Sequence, residues 1–214
     1  MHLPAFALLL AAAAVPTVDA DELRTGDLLL HTSSSAQALA VAVATRSSFT
    51  HVGVVVREGD AVWVVEAAGR ARRTPLAEFL RRGRSSSTVL RDARLDDDEL
   101  RARVQREVLA LVGTPYDGAF AEGADELYCS ELLVEAWRRA GLPLGVAQQV
   151  GDLDVQAPPV RALFAKRWRR HPACRGLADA RACLAVVVEQ RIVTPAGLAD
   201  DERLHDLGYL PVPR

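Results

Sequence analysis

The chain has 214 residues, half of them hydrophobic, with 26 basic against 28 acidic side chains and a formal net charge of -2. This excludes a disordered composition and leaves no electrostatic ground for a nucleic-acid partner, while the length suits one core better than two. Of the basic residues only Lys166 is a lysine.

Residues 5–15, AFALLLAAAAV, form an apolar run that Pro16 breaks. The run is too short to span a bilayer comfortably, and Val18, Asp19 and Ala20 offer small residues where a signal peptidase cleaves. Ahead of it only His2 and the terminal amine supply positive charge. The expectation is a signal peptide over residues 1–20 and export to the periplasm or medium of a bacterium. The mature chain, 21–214, is expected to be one domain without a transmembrane segment. Its core falls over about 23–141, followed by a less regular extension over 142–214.

Gly26-Asp27 is turn chemistry before a short buried strand over 28–31. Ser33 to Ser35 offer caps to a helix over 36–44 whose small apolar faces suit close packing. FTHVGVVVREGDAVWVVEAAG predicts a β-hairpin. Two β-branched runs flank Glu58-Gly59-Asp60, and apolar residues on both faces place the pair centrally in a sheet. Residues 72–83, RRTPLAEFLRRG, predict a loop and a short helix, and residues 87–93, STVLRDA, a further strand.

In residues 95–113, LDDDELRARVQREVLALVG, Asp96 to Asp98 suit a helix N-terminus through capping and the dipole. Leu100, Val104, Val108, Leu111 and Val112 mark one apolar stripe, and Gly113 ends it. A long loop, TPYDGAFAEGADELY, leads to a helix over about 129–140. Leu132, Leu133, Ala136, Trp137 and Ala140 face inward there, and Gly141 and Pro143 terminate it. Farther on, KRWRR reads as a solvated basic face, with an anionic-envelope contact as the rival reading. CLAVVVEQRIV reads as a strand and the final YLPVPR as loop. No internal repeat, glycine-rich phosphate loop or CxxC pair occurs.

Three cysteines are present. In an oxidising compartment Cys174 and Cys183, in ACRGLADARAC, are the disulfide candidate, closing a small loop and leaving Cys129 free. Cys129 opens an apolar helix, where exposed N–H groups favour a negative sulfur and can hold an oxyanion. Burial as an inert core residue is the competing reading. A nucleophile needs a general base. His31, His51, His171 and His205 are available, and His51, at the entry of a rigid strand, is the choice. If Glu58 pairs with Ala61 in the hairpin, Gly53 pairs with Glu66 and Glu66 lies diagonal to His51 on one face, with Gly53 leaving room between them. A carboxylate in VWVVEAA needs a partner, either His51, which it would orient, or an arginine such as Arg70 or Arg72. Tyr116 and Asp117 in GTPYD, and Tyr128 and Ser130 flanking the cysteine, are candidates for lining a cleft or assisting an oxyanion.

The motifs GDLLL, ATRSSFTHVGVVV, VVEAAG with RTPLAEF, GTPYD and YCSELLVEAW occur in that order. Through them the chain, from about residue 23 to 141, resembles the permuted papain-like hydrolases, the YiiX/YaeF-like branch of the NlpC-type superfamily. The order His, Glu, Cys is reversed from papain's Cys, His, Asn. The resemblance implies an α+β fold, papain-like and circularly permuted, with an antiparallel sheet carrying His51 and Glu66 packed on the helix that begins at Cys129. It implies a thiol hydrolase in which Cys129 attacks, His51 is the base and Glu66 orients it, with no metal or other cofactor. The substrate classes it brings are cell-wall peptides, other amides, and acyl or lipid bonds. With export, peptidoglycan stem peptides are the nearest amides. Four other readings stay open: acyl transfer to a lipid or amine, lipid or ester hydrolysis on the same fold, a catalytically silent envelope-binding module, and Cys129, His51 and Glu66 as zinc ligands lacking a fourth.

Overall fold

A computed structural model describes residues 15–121, 123 and 125–213. The apolar leader lies outside these residues except for Val15. In chain order the regular elements are β1 (Leu28–His31), α1 (Ala38–Thr45), β2 (His51–Glu58), β3 (Ala61–Ala68), β4 (Arg70–Pro75), α2 (Leu76–Arg81), β5 (Ser87–Asp92), α3 (Asp98–Ala110) and α4 (Cys129–Arg139). The extension adds β6 (Ala147–Gln149), α5 (Pro158–Arg167), α6 (Ala180–Val187), β7 (Arg191–Val193), α7 (Pro195–Ala199) and β8 (Leu204–Leu210).

Six strands form one antiparallel sheet in the order β4-β3-β2-β1-β5-β8, and β6 pairs with β7 separately. The expected hairpin is its centre, with Glu58 opposite Ala61 and Val54 opposite Val65. Because side chains alternate along a strand, the sheet buries both faces. Leu28, Leu30, Val52, Val54, Val56 and Val65 pack with Val104 and Val108 of α3 and with Leu132, Leu133, Ala136 and Trp137 of α4. On the other face Leu29, Val55, Val64 and Val89 pack with Phe79 and Leu80 of α2. Asp97 caps α3 by accepting the Leu100 N–H at 2.9 Å.

Several expectations are corrected. Helix α1 starts at Ala38 with Gln37 as its N-cap and no side-chain cap, because Ser33 Oγ instead closes a local turn by accepting Ser35 N–H at 3.0 Å. The stretch before α2 is the edge strand β4, where the terminal Pro75 does no harm to the ladder. Val112 is 40% exposed, since α3 has already ended and the helical stripe no longer applies to it. The run CLAVV is helical: the Asp179 carboxylate accepts Ala182 N–H at 2.8 Å and starts α6, whose Cys183 and Val187 face inward. Only Arg191–Val193 of that run is strand. The basic cluster is not wholly a solvated face, because Trp168 is buried and Arg167 half-buried.

The C-terminal stretch is also more ordered than read, as Tyr209 and Leu210 belong to β8. Its outer edge is covered by the N-terminal segment. Tyr209 N–H donates to Pro16 O at 3.0 Å, and Val18 N–H donates to Tyr209 O at 2.9 Å. The close approach requires glycine at position 208, where φ is +114° and a Cβ would sit 2.0 Å from Pro16 O.

Candidate active site

Helix α4 begins at Cys129, buried with 5% exposure. Its N-cap is Tyr128, whose N–H donates to Glu131 Oε2 at 3.4 Å, and the Cys129 and Ser130 N–H groups lie at the positive end of the helix dipole. The second component is the hairpin. His51 opens β2, and its Nε2 lies 2.6 Å from Glu66 Oε2 across the sheet. Glu66 is fully buried in β3, while 13% of the His51 side chain is exposed. Nδ1 is thereby left for Cys129, whose influence on the ring raises the His51 pKa. His51 is where the helix on one sheet face and the carboxylate on the other meet.

Glu66 is held on several sides. Thr74 Oγ1 donates to Oε1 at 2.6 Å, Arg82 Nη2 donates to the same oxygen, and Arg72 Nε stands 3.6 Å away. Both partners weighed from sequence are therefore present, His51 and an arginine, although Arg82 is the closer guanidinium and Arg70 plays no part. Arg82 and Thr74 were missed. The only sequence signal was a pair of arginines closing a short helix, too generic to point at Glu66.

The electrostatics follow from these contacts. Burial pushes the His51 pKa down, but the hydrogen bonds and charges of Cys129 and Glu66 outweigh it and hold it at about 9. Burial pushes Glu66 up, and the bonds from His51, Thr74 and Arg82 outweigh it and hold it at about 2. At neutral pH the pair is an imidazolium beside a carboxylate. Its neighbour His31, stacked 5.5 Å from His51 and 4.5 Å from Phe79, is driven to about 3 by burial and then by the His51 charge. It is neutral and serves as a flat wall. A Cβ on Gly53 would lie 2.4 Å from a Val64 methyl and 3.1 Å from Phe79, so the room that Gly53 leaves is filled by these side chains. His171 is buried, with Nδ1 accepting Ala173 N–H, and His205 is exposed on the edge strand β8.

Cys129, Tyr116 and Tyr128 open into a cleft of about 740 Å³ between α1, α5 and α6. Its walls are mainly Ala, Val, Leu and Phe side chains, and no Asp or Glu among the described residues lines it. Tyr116 OH accepts from Gln37 Nε2 at 2.6 Å, and burial keeps the phenol protonated. Two other candidates do different work. Asp117 turns inward and accepts Ala119 and Ala121 N–H at 2.6 and 2.5 Å, shaping the loop. Ser130 backbone borders the cleft, but its hydroxyl donates to Val193 O at 2.7 Å and ties α4 to β7. Cys174 and Cys183 are joined in a disulfide beside the cleft wall.

A family model described as "Permuted papain-like amidase enzyme, YaeF/YiiX, C92 family" matches residues 22–208. The chain belongs to this family. It is therefore a hydrolase of the cysteine peptidase/amidase type, with the mixed helix and antiparallel-sheet fold expected from sequence. Among its relatives, the uncharacterized protein YiiX of Escherichia coli K12 is 26% identical over 185 residues, covering 85% of this chain and 84% of YiiX. A crystal structure of YiiX from Escherichia coli O157:H7 superposes with a TM-score of 0.75 at 26% identity, covering 88% of this chain and 98% of that one. That protein is described as a metalloprotein. The present residues do not fit a metal centre: among the described residues no three His, Cys, Asp or Glu side chains group to hold an ion, and Glu66 is committed to His51, Thr74 and Arg82.

Proposed function

We propose that this family member hydrolyses amides through a Cys129 thiolate, with His51 as acid and base and Glu66 as the carboxylate that orients it. The observation that carries the reading is the His51 ring, bonded through Nε2 to a buried Glu66 and raised in pKa by Cys129 as well as by Glu66. Cys129 Sγ attacks the carbonyl carbon, and the C–N bond breaks as His51 delivers its proton to the leaving amine. Neutral His51 then takes a proton from water, whose oxygen displaces Sγ and releases the carboxylic acid. The N–H groups of the α4 first turn, with Tyr116 or Tyr128 OH, stabilise the oxyanion.

The cleft favours one substrate class over another. Its apolar walls suit the acyl portion of an N-acyl amide or ester better than a charged cell-wall stem peptide. We therefore place acyl amides ahead of peptidoglycan peptides. Export is part of the proposal, supported by the leader and by the Cys174–Cys183 disulfide. So is the treatment of 21–214 as one unit, supported by the span of the family match.

The test compares octanoyl p-nitroanilide with peptidoglycan stem peptides, wild type against Cys129→Ala. Octanoyl amide cleavage that disappears in the variant is expected. Cleavage of stem peptides alone would reverse the substrate order, and activity that survives Cys129→Ala would remove the nucleophile. N-terminal sequencing of periplasmic material is expected to begin near Asp21, and cleavage there removes Pro16 to Val18 from Tyr209 and bares the outer edge of β8.

A further inference from the structure

We propose an oxyanion subsite at Gly118, on the rim of the Cys129 cleft, in which the guanidinium groups of Arg167 and Arg170 bind a carboxylate or phosphate carried by the substrate near its scissile amide. The placement rests on Cys129 being the reacting group of this cleft. The starting observation is a convergence of like charges. A Cβ placed on Gly118 would meet Arg170 Nη1 at 3.7 Å and Arg167 Nη1 at 3.9 Å, and no other described residue beyond its chain neighbours within 4 Å. Two cations brought to one backbone position repel unless an anion is shared between them.

No described residue supplies that anion. Among the described residues neither arginine forms an ion pair, and those lining the cleft include Arg161, Arg167 and Arg181 but no carboxylate. The nearest candidate in sequence, Asp117, is buried and bonded to Ala119 and Ala121 N–H. Arg167 Nη1 is fixed by Gln37 Oε1 at 2.9 Å and Gly118 O at 3.1 Å. Those bonds hold its fork in place while Nε and Nη2 make no hydrogen bond among the described residues. Arg170 makes none either, and it is exposed. A pre-positioned planar fork beside a second, free guanidinium matches the geometry of carboxylate and phosphate.

The position also suits recognition close to the chemistry. Gln37 bonds both Arg167 and the Tyr116 hydroxyl, and Tyr116, Gly118 and Cys129 line the same cleft. An anion at Gly118 thus lies on the nucleophile's side of the cleft, and the apolar walls are left for the rest of the substrate. The substrate class that satisfies both is an apolar amide with an anionic group close to the amide, as in an N-acyl amino acid or an N-acyl amino phosphate.

The test measures binding in Cys129→Ala by isothermal titration calorimetry, with octanoylglycine, octyl phosphate and uncharged octanoylglycinamide as probes. At least one anion is expected to bind about tenfold or more tightly than octanoylglycinamide, since charge-assisted bonds are involved. The preferred anion identifies carboxylate or phosphate. That ratio is expected to fall toward one in Arg167→Gln and in Arg170→Gln. Arg170 has no bond to lose among the described residues, so its variant remains folded, and melting temperatures check both. Equal binding of charged and uncharged probes, no binding of either anion, or a ratio that survives both substitutions would overturn the subsite. Wild type is then given octanoylglycine and read for free glycine and an octanoyl adduct on Cys129. Anion-dependent binding without cleavage would leave the subsite standing and remove the amidase reading of Cys129.

Discussion

His51 keeps its proton to about pH 9, because Cys129 and Glu66 together overcome the effect of burial. Above that pH the proton needed by the leaving amine is lost, so kcat/KM for an amide is expected to fall along an alkaline limb near pH 9. Glu66→Gln removes a charge that raises His51, and the limb should move to lower pH in a kcat/KM profile. His51→Ala should slow iodoacetamide alkylation of Cys129 at pH 6 and lower kcat/KM by about 10²–10⁴-fold. The same shifts act on stability. The His51 contribution is complete below its ordinary 6.5 and is lost as pH rises through about 9. The Glu66 contribution is complete above its ordinary 4.5 and is lost as pH falls through about 2. The difference in melting temperature between wild type and Glu66→Gln should therefore be widest between pH 4.5 and 6.5. His51 and Glu66 were legible in the sequence because one tight turn fixes their relative register. Arg82 and Thr74 were not, since each reaches Glu66 from a different element and neither carries a pattern of its own.

Ser130 separates a structural from a catalytic role at the start of α4. Its hydroxyl bonds Val193 O, so Ser130→Ala leaves a buried carbonyl without that partner, at a cost of about 1–3 kcal/mol in denaturant unfolding. The value of kcat should change little, whereas a large loss of kcat would return Ser130 to the oxyanion site. In the hairpin, Gly53→Ala drives a methyl into Val64 and Phe79, and about 1–3 kcal/mol of destabilisation is expected by the same measurement. Elements with an unambiguous period were readable, α3 and α4 by their apolar stripes and the hairpin by its β-branched runs. The α6 run is apolar and β-branched, and its Asp179 cap and its bonded cysteine override that preference. Strand β8 was hidden because His205, Asp206 and Gly208 interrupt it, and its order comes from pairing with β5 on one side and residues 16–18 on the other.

Across the molecule, the sheet and α4 assemble the reacting groups, while α1, α5 and α6 wall the cleft. The disulfide holds α6 to the segment after α5, and its reduction should lower stability by about 2–4 kcal/mol. Hydrogen exchange is expected to rise first in α5 and α6, with the hairpin unaffected. This extension was the least legible part of the sequence, because its small core depends on a covalent bond and on contacts with α1 more than on local periodicity. The meeting of Pro16 to Val18 with Tyr209 has a wider consequence. Before any leader is removed, the segment from Pro16 to Tyr209 is nearly a ring, and the order in which His51, Glu66 and Cys129 occur depends only on where that ring is cut. Joining the ends and opening the loop before α4 would give a chain that starts at Cys129 and reaches His51 later, in the papain order of cysteine before histidine. A permutant of that kind should keep the fold and the hydrolysis, which makes the reversed order of the reacting residues a matter of chain opening and leaves their chemistry the same.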